Sequence, residues 1–68
     1  MNEDNLNMEI RKFLKKVGIT SQRIIENHIY EADKKGTIKA GDEIELEMSL
    51  SIKNFQSNNR IDRKITIE

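Results

Sequence analysis

Apolar residues in the N-terminal half of the chain recur at the three- and four-residue spacing of an amphipathic helix. The first apolar stripe consists of Leu6, Ile10, Phe13, Leu14 and Val17. This spacing predicts a helix over about residues 4–17, with acidic side chains toward its start and basic side chains toward its end, as the helix dipole favours. Gly18 follows the stripe, and we expect it to end this helix in a left-handed conformation.

A second helix is predicted to begin almost at once. Thr20 can cap it with its hydroxyl group, and Ile19 can pack against Ile24 as a hydrophobic staple. Its apolar side carries Ile24, Ile25, His28, Ile29 and Ala32. The predicted helix covers about residues 21–35, with Gly36 as terminator. Two helices joined by a connection this short form a helical hairpin or a helix-turn-helix corner.

After Gly41 the period of the pattern changes from 3.6 to 2 residues. Apolar residues at even positions alternate with polar residues at odd positions, which predicts a strand over about residues 43–53 with one buried and one solvated face. A polar turn and a second strand over about residues 60–68 should follow, with Arg63 interrupting the apolar face of that strand. The apolar residues of both strands must lie on one face, which requires a loop with an even number of residues. Loops of two, four or six residues all satisfy this condition, so the register stays open.

The predicted fold is therefore α+β in the order α-α-β-β, a helical hairpin packed on a C-terminal antiparallel β-hairpin, in a single small domain over residues 1–68. A lone two-stranded hairpin is marginally stable in water, and both of its strands are edges. A symmetric dimer that joins two hairpins into a four-stranded sheet would remove this problem, so we expect a homodimer. The alternative is a monomer whose edges are protected by charged side chains. The candidate self-association or partner surface consists of Met48, Leu50, Ile52, Phe55, Ile61 and Ile65.

Composition excludes several kinds of chemistry. The 68 residues include no cysteine and one histidine, so neither a disulfide nor a histidine- or thiolate-based zinc site can form. The only imidazole, on His28, has no adjacent serine to activate, and no glycine pattern suits a phosphate. Glu43, Glu45 and Glu47 could receive a basic partner or weakly hold a hard cation, but no loop supplies further oxygen ligands. We expect no enzyme activity, no cofactor and no metal, and a solvated glutamate row balanced by Lys64 or Arg60.

The formal net charge of zero is a sum of unequal parts. It is −3 over residues 1–10, +5 over residues 11–39 and −2 over residues 40–68. The positive part coincides with the predicted corner and precedes a hairpin, as in winged-helix DNA binders, although these normally have a third helix. This alternative function, nucleic-acid binding, would use Arg11, Lys12, Lys15, Lys16, Gln22, Arg23 and Asn27. Against it, Glu26 would face phosphate oxygens unfavourably.

The chain also resembles a known family over nearly its whole length. The residues that match are Met1–Asp4, Asn7–Met8, Ile10–Gly18 and Thr20–Arg23. After Asp33 the order of the predicted elements matches, but the residue identities do not. The family consists of small bacterial proteins catalogued as a domain of unknown function, so the resemblance implies a stand-alone bacterial protein with no catalytic residue to carry over. The acidic start and the lack of a long apolar run predict a soluble cytoplasmic protein. Together these features favour a non-enzymatic, self-associating protein-interaction module.

Overall fold

The computed structural model describes all residues, 1–68, and contains one helix and one β-hairpin. Helix α1 spans Glu3–Lys34, strand β1 spans Glu43–Ile52, and strand β2 spans Ser57–Thr66. A single 3-10 turn over Lys53–Phe55 lies between the strands. The fold is α+β. The chain divides into two compact units, residues 1–37 and residues 38–68, which are described separately below. One domain over the whole chain stays a prediction.

Both ends of α1 are capped by local hydrogen bonds. At the start, the Asn2 side-chain oxygen accepts a hydrogen bond from the Asn5 N–H at 3.1 Å. At the end, the N–H of Gly36 donates to the Asp33 carbonyl at 3.0 Å and the N–H of Thr37 donates to the Ala32 carbonyl at 2.9 Å. This pair of bonds is a Schellman motif, and Gly36 adopts the φ of +71° that the motif requires.

One continuous helix replaces the two that the sequence pattern predicts. Gly18 lies inside α1 without a positive φ, and the predicted capping residue Thr20 is in the helix interior. The helical hairpin and its helix-turn-helix corner are therefore not observed. The physical reason is phase: Ile10, Val17 and Ile24 are seven residues apart, about two turns, so an unbroken helix keeps both apolar stripes on one side. A glycine inside a helix costs only about 1 kcal/mol relative to alanine, whereas a break leaves carbonyl and N–H groups without partners.

The β-hairpin is antiparallel and ends in a four-residue loop, one of the lengths that parity allows. Pairing runs from Glu43 opposite Thr66 to Ile52 opposite Ser57. Gln56 closes the loop in a left-handed conformation (φ +53°), and its N–H donates to the Lys53 carbonyl at 3.3 Å. Strand β2 starts at residue 57, earlier than the predicted residue 60, because its polar first residues still pair with the end of β1.

A tight turn over residues 39–42 fixes the entry into β1. The Asp42 N–H donates to the Lys39 carbonyl at 3.1 Å, and the Lys39 N–H donates back to the Asp42 carboxylate at 3.0 Å. Gly41 has a φ of +96°, which the third position of a type II turn requires. The Ile67 N–H then donates to the Asp42 carbonyl at 2.8 Å, which ties the turn to the chain after β2.

Neither unit has a hydrophobic core of its own. No residue of the chain is buried, and the least exposed apolar side chains, such as Val17 and Ile29 on α1 or Ile44 and Leu46 on β1, are only half-buried. A single helix and a two-stranded sheet each form one layer, and a stable domain needs at least two packed layers. The apolar surfaces are therefore the feature of this chain that most needs a functional explanation.

Candidate interaction surfaces

The apolar residues of the hairpin share one face, which we call the hairpin face. The pairing places Ile44 opposite Ile65 and Met48 opposite Ile61 on this face, while Leu46 lies opposite Arg63. The face consists of Ile44, Leu46, Met48, Leu50, Ile52, Ile61 and Ile65. It is apolar along the whole of β1 but at only two positions of β2, so β1 supplies most of its apolar surface.

The predicted self-association residues fall in two places. Five of them lie on the hairpin face, where Met48 is 40% exposed and Ile61 is 65% exposed. Phe55 lies apart from the face, in the turn between the strands, and is 77% exposed. A large apolar side chain this exposed contributes little to the hairpin itself and is available to a partner.

Each strand of the hairpin also has a free edge. In an antiparallel pair, the N–H and C=O groups of every second residue point toward the partner strand. The Ile67 N–H donates to the Asp42 carbonyl, so the even-numbered residues of β1 are the ones that point toward β2. Those of the odd-numbered residues, from Glu43 to Ser51, point away from β2 and have no partner strand. Such a row of unpaired N–H and C=O groups is a template for a further strand.

The polar face of the hairpin carries charges of both signs. The Lys64 ammonium lies 4.0 Å from the Glu45 carboxylate across the hairpin, as the sequence predicts for the glutamate row. Arg60, the other predicted partner of that row, pairs instead with Asp62 on its own strand at 3.3 Å. All four side chains are more than half exposed, and such ion pairs contribute at most about 1 kcal/mol each. The polar face is thus a solvated surface with no group of three or more residues arranged to hold a metal ion.

The predicted nucleic-acid residues lie along one helix rather than at a corner. All seven are exposed on α1 and lie off the apolar stripe: Arg11, Lys12, Lys15, Lys16, Gln22, Arg23 and Asn27. Because α1 is continuous, Gln22, Arg23 and Asn27 lie partway along one long helix and not near the start of a separate recognition helix. The Lys12 ammonium lies 3.7 Å from the Glu9 carboxylate, one turn earlier. The winged-helix arrangement that motivated the nucleic-acid hypothesis is absent.

The structure defines a small α+β protein made of one long helix and a β-hairpin. The chain belongs to a family of unknown function, DUF6494, whose model matches residues 1–68. This match confirms the resemblance seen in the sequence. No curated protein and no solved structure matches the chain. No helix in the structure combines the length and the apolar character that crossing a membrane requires.

Proposed function

We propose that this protein is a non-enzymatic protein-interaction module that self-associates through its β-hairpin. In the proposed homodimer, the hairpins of two copies join edge to edge into a four-stranded sheet. One observation carries the proposal: no residue is buried, although large apolar side chains line both α1 and the hairpin face. The cytoplasm as the compartment also stays a prediction.

Energetic estimates support association. Ordering the backbone costs about 1–2 kcal/mol per residue, and fully burying a Leu, Ile or Met side chain contributes about 1.5–3 kcal/mol. The hairpin orders ten residues in each strand, but Met48, Leu50 and Ile52 keep 40%, 36% and 40% of their surface exposed. The hairpin face therefore contributes only part of its possible stabilisation.

The composition leaves few other ways to stabilise so small a chain. Chains of this size usually depend on disulfides, a structural metal or oligomerisation. The sequence contains no cysteine, and no residues of the structure are grouped as metal ligands. Oligomerisation needs neither a cysteine nor a metal, and a second copy of the chain is available wherever the first is.

The mass in solution tests the proposal. We expect sedimentation equilibrium at micromolar concentration to give twice the 8.0 kDa of one chain. Because association stabilises only the folded chain, the thermal midpoint should also rise with protein concentration. A mass of 8.0 kDa together with a midpoint that does not change over a hundredfold range of concentration would falsify self-association.

A second candidate function is nucleic-acid binding, which the +5 charge over residues 11–39 and the exposure of the basic side chains of α1 support. We expect a random-sequence DNA duplex to bind at low salt and to dissociate at moderate salt. Replacing Lys12, Lys15 and Lys16 together by Gln should reduce the slope of log K against log salt by about 0.9 for each phosphate that these lysines neutralise. Lys64→Gln on the hairpin is the matched control and should leave the slope unchanged. If fluorescence anisotropy detects no binding even at low ionic strength, this candidate is excluded.

A further inference from the structure

We propose that the second copy pairs along the free edge of β1, antiparallel, about a two-fold axis that passes between the two Met48 residues. This inference rests on the proposed self-association and specifies its strand and register. The resulting sheet has the strand order β2, β1, then β1 and β2 of the partner. It places Met48 opposite the partner's Met48.

The backbone of β1 is compatible with this register. The odd-numbered residues, whose N–H and C=O groups point to the free edge, become the hydrogen-bonded pairs, for example Glu47 with the partner's Ser49. The even-numbered residues become the non-hydrogen-bonded pairs, in which Cα atoms approach to about 4.5 Å and side chains lie closest together. The apolar side chains therefore occupy the closer of the two kinds of pair.

In this register the apolar residues of β1 lie opposite apolar residues of the partner's β1. Antiparallel pairing centred on Met48 places Leu46 opposite the partner's Leu50, and Ile44 opposite the partner's Ile52. Every even position of the strand then faces an apolar residue of the second copy, on the same face of the sheet. Cross-strand apolar pairs of this kind stabilise a sheet by about 0.2–1 kcal/mol each.

The same register also keeps the glutamates of β1 away from the glutamates of the partner's β1. The three glutamates occupy the first half of the strand, and Ser49, Ser51 and Lys53 follow in the second half and just after it. Antiparallel pairing brings Glu47 opposite the partner's Ser49 and Glu45 opposite the partner's Ser51, while Glu43 lies at the end of the ladder, where the partner's strand gives way to the turn that starts at Lys53. Centring on residue 47 instead would oppose two glutamates, and centring on residue 49 would pair Ile44 with the partner's Asn54. The register centred on Met48 avoids both faults.

The edge of β2 is less suitable. Pairing centred on Ile61 yields a single apolar pair, because Arg63 then faces the partner's Asn59. Centring on Asp62 or on Arg63 brings two like charges together, which is destabilising. The regular alternation of apolar and polar residues in β1 thus favours the free edge of β1, rather than that of β2, for pairing with a second copy.

Disulfide trapping in the full-length chain tests the register, since the native sequence has no cysteine. We expect Met48→Cys to oxidise to a covalent dimer, because Cα atoms about 4.5 Å apart lie within disulfide range. The control is Ile61→Cys, which lies directly opposite Met48 on β2, on the same face and more exposed. Trapping should be at least about tenfold faster for Met48→Cys, as expected for thiols held at a high effective concentration.

A charge change on the polar face gives a second, independent measurement. Ser51→Lys places a positive charge opposite the partner's Glu45, and we expect the dimer dissociation constant to fall roughly two- to tenfold. Asn58→Lys is the control, because Asn58 pairs with Ser51 within the hairpin but lies on the strand away from the partner. A monomeric protein would overturn the proposed function itself. A dimer in which Ile61→Cys traps as fast as Met48→Cys, or in which Ser51→Lys weakens association, would overturn only the register proposed here.

Discussion

Met48→Asp is expected to convert the proposed dimer into a monomer. The substitution removes two Met side chains from the centre of the proposed interface and places two carboxylates opposite each other. Met48 is 40% exposed in the single chain, so covering that remainder in both copies contributes about 1–2 kcal/mol. This loss and the repulsion between the opposed carboxylates should together raise the dissociation constant at least about tenfold. Sedimentation equilibrium at micromolar concentration should then report one chain, 8.0 kDa, where we expect two chains for the native protein.

Asn58→Asp provides the control for this substitution. It adds the same charge to the same hairpin, on the polar face of β2, where the proposed dimer has no partner strand. We expect its mass to remain that of the native protein. If Met48→Asp stays dimeric while far-UV circular dichroism shows a folded chain, the hairpin face near Met48 is not the interface, and association must use another surface.

The hairpin was predictable because strand geometry leaves few alternatives. A period of 2 assigns each side chain to a face, so residues such as Met48 and Ile61 had to share the hairpin face once the loop length was even. The loop length itself could not be chosen from the pattern, because loops of two, four and six residues preserve the same parity. The choice of four depends on Gln56 adopting a left-handed conformation, which no residue-type preference signals.

The charged partners were less predictable than the faces. Lys64 lies near Glu45, as expected from cross-strand neighbours, but Arg60 reaches along its own strand to Asp62. Two flexible, exposed side chains can exchange such partners at little cost, since each pair contributes at most about 1 kcal/mol. Phe55 is a different case, because an apolar residue in a polar turn predicts neither burial nor exposure until the turn geometry is known.

The error in the helical half has an identifiable physical cause. Gly18, Ile19 and Thr20 carry the local signals of a helix end followed by a helix start, and these signals conflict with the phase of the apolar stripe. The seven-residue spacing of Val17 and Ile24 continues across Gly18, whereas a turn would be free to change it. The phase on either side of the glycine is therefore the better predictor here, and it indicates a single helix.

Alanine at Gly18 and at Gly36 should change stability in opposite directions. Gly18 lies in the helix interior, and a Cβ added there meets nothing within 4 Å, so Gly18→Ala should stabilise the folded chain by about 0.5–1 kcal/mol. Gly36 has a φ of +71°, and alanine in that left-handed conformation costs about 1–2 kcal/mol. For a chain of this size, 1 kcal/mol corresponds to about 4–8 °C in thermal midpoint, so the two variants should separate clearly in a melt followed at a helical wavelength.

The two glycines are matched controls for each other, because each substitution adds one methyl group in open space and only the backbone conformation differs. A helix broken at Gly18 by a left-handed residue would predict the same sign for both, a fall in thermal midpoint. A rise for Gly18→Ala would support the continuous helix, whereas a fall would restore the two-helix interpretation and with it a short connection at Gly18. The melts should be compared at equal protein concentration, since self-association would otherwise add its own shift to the midpoint.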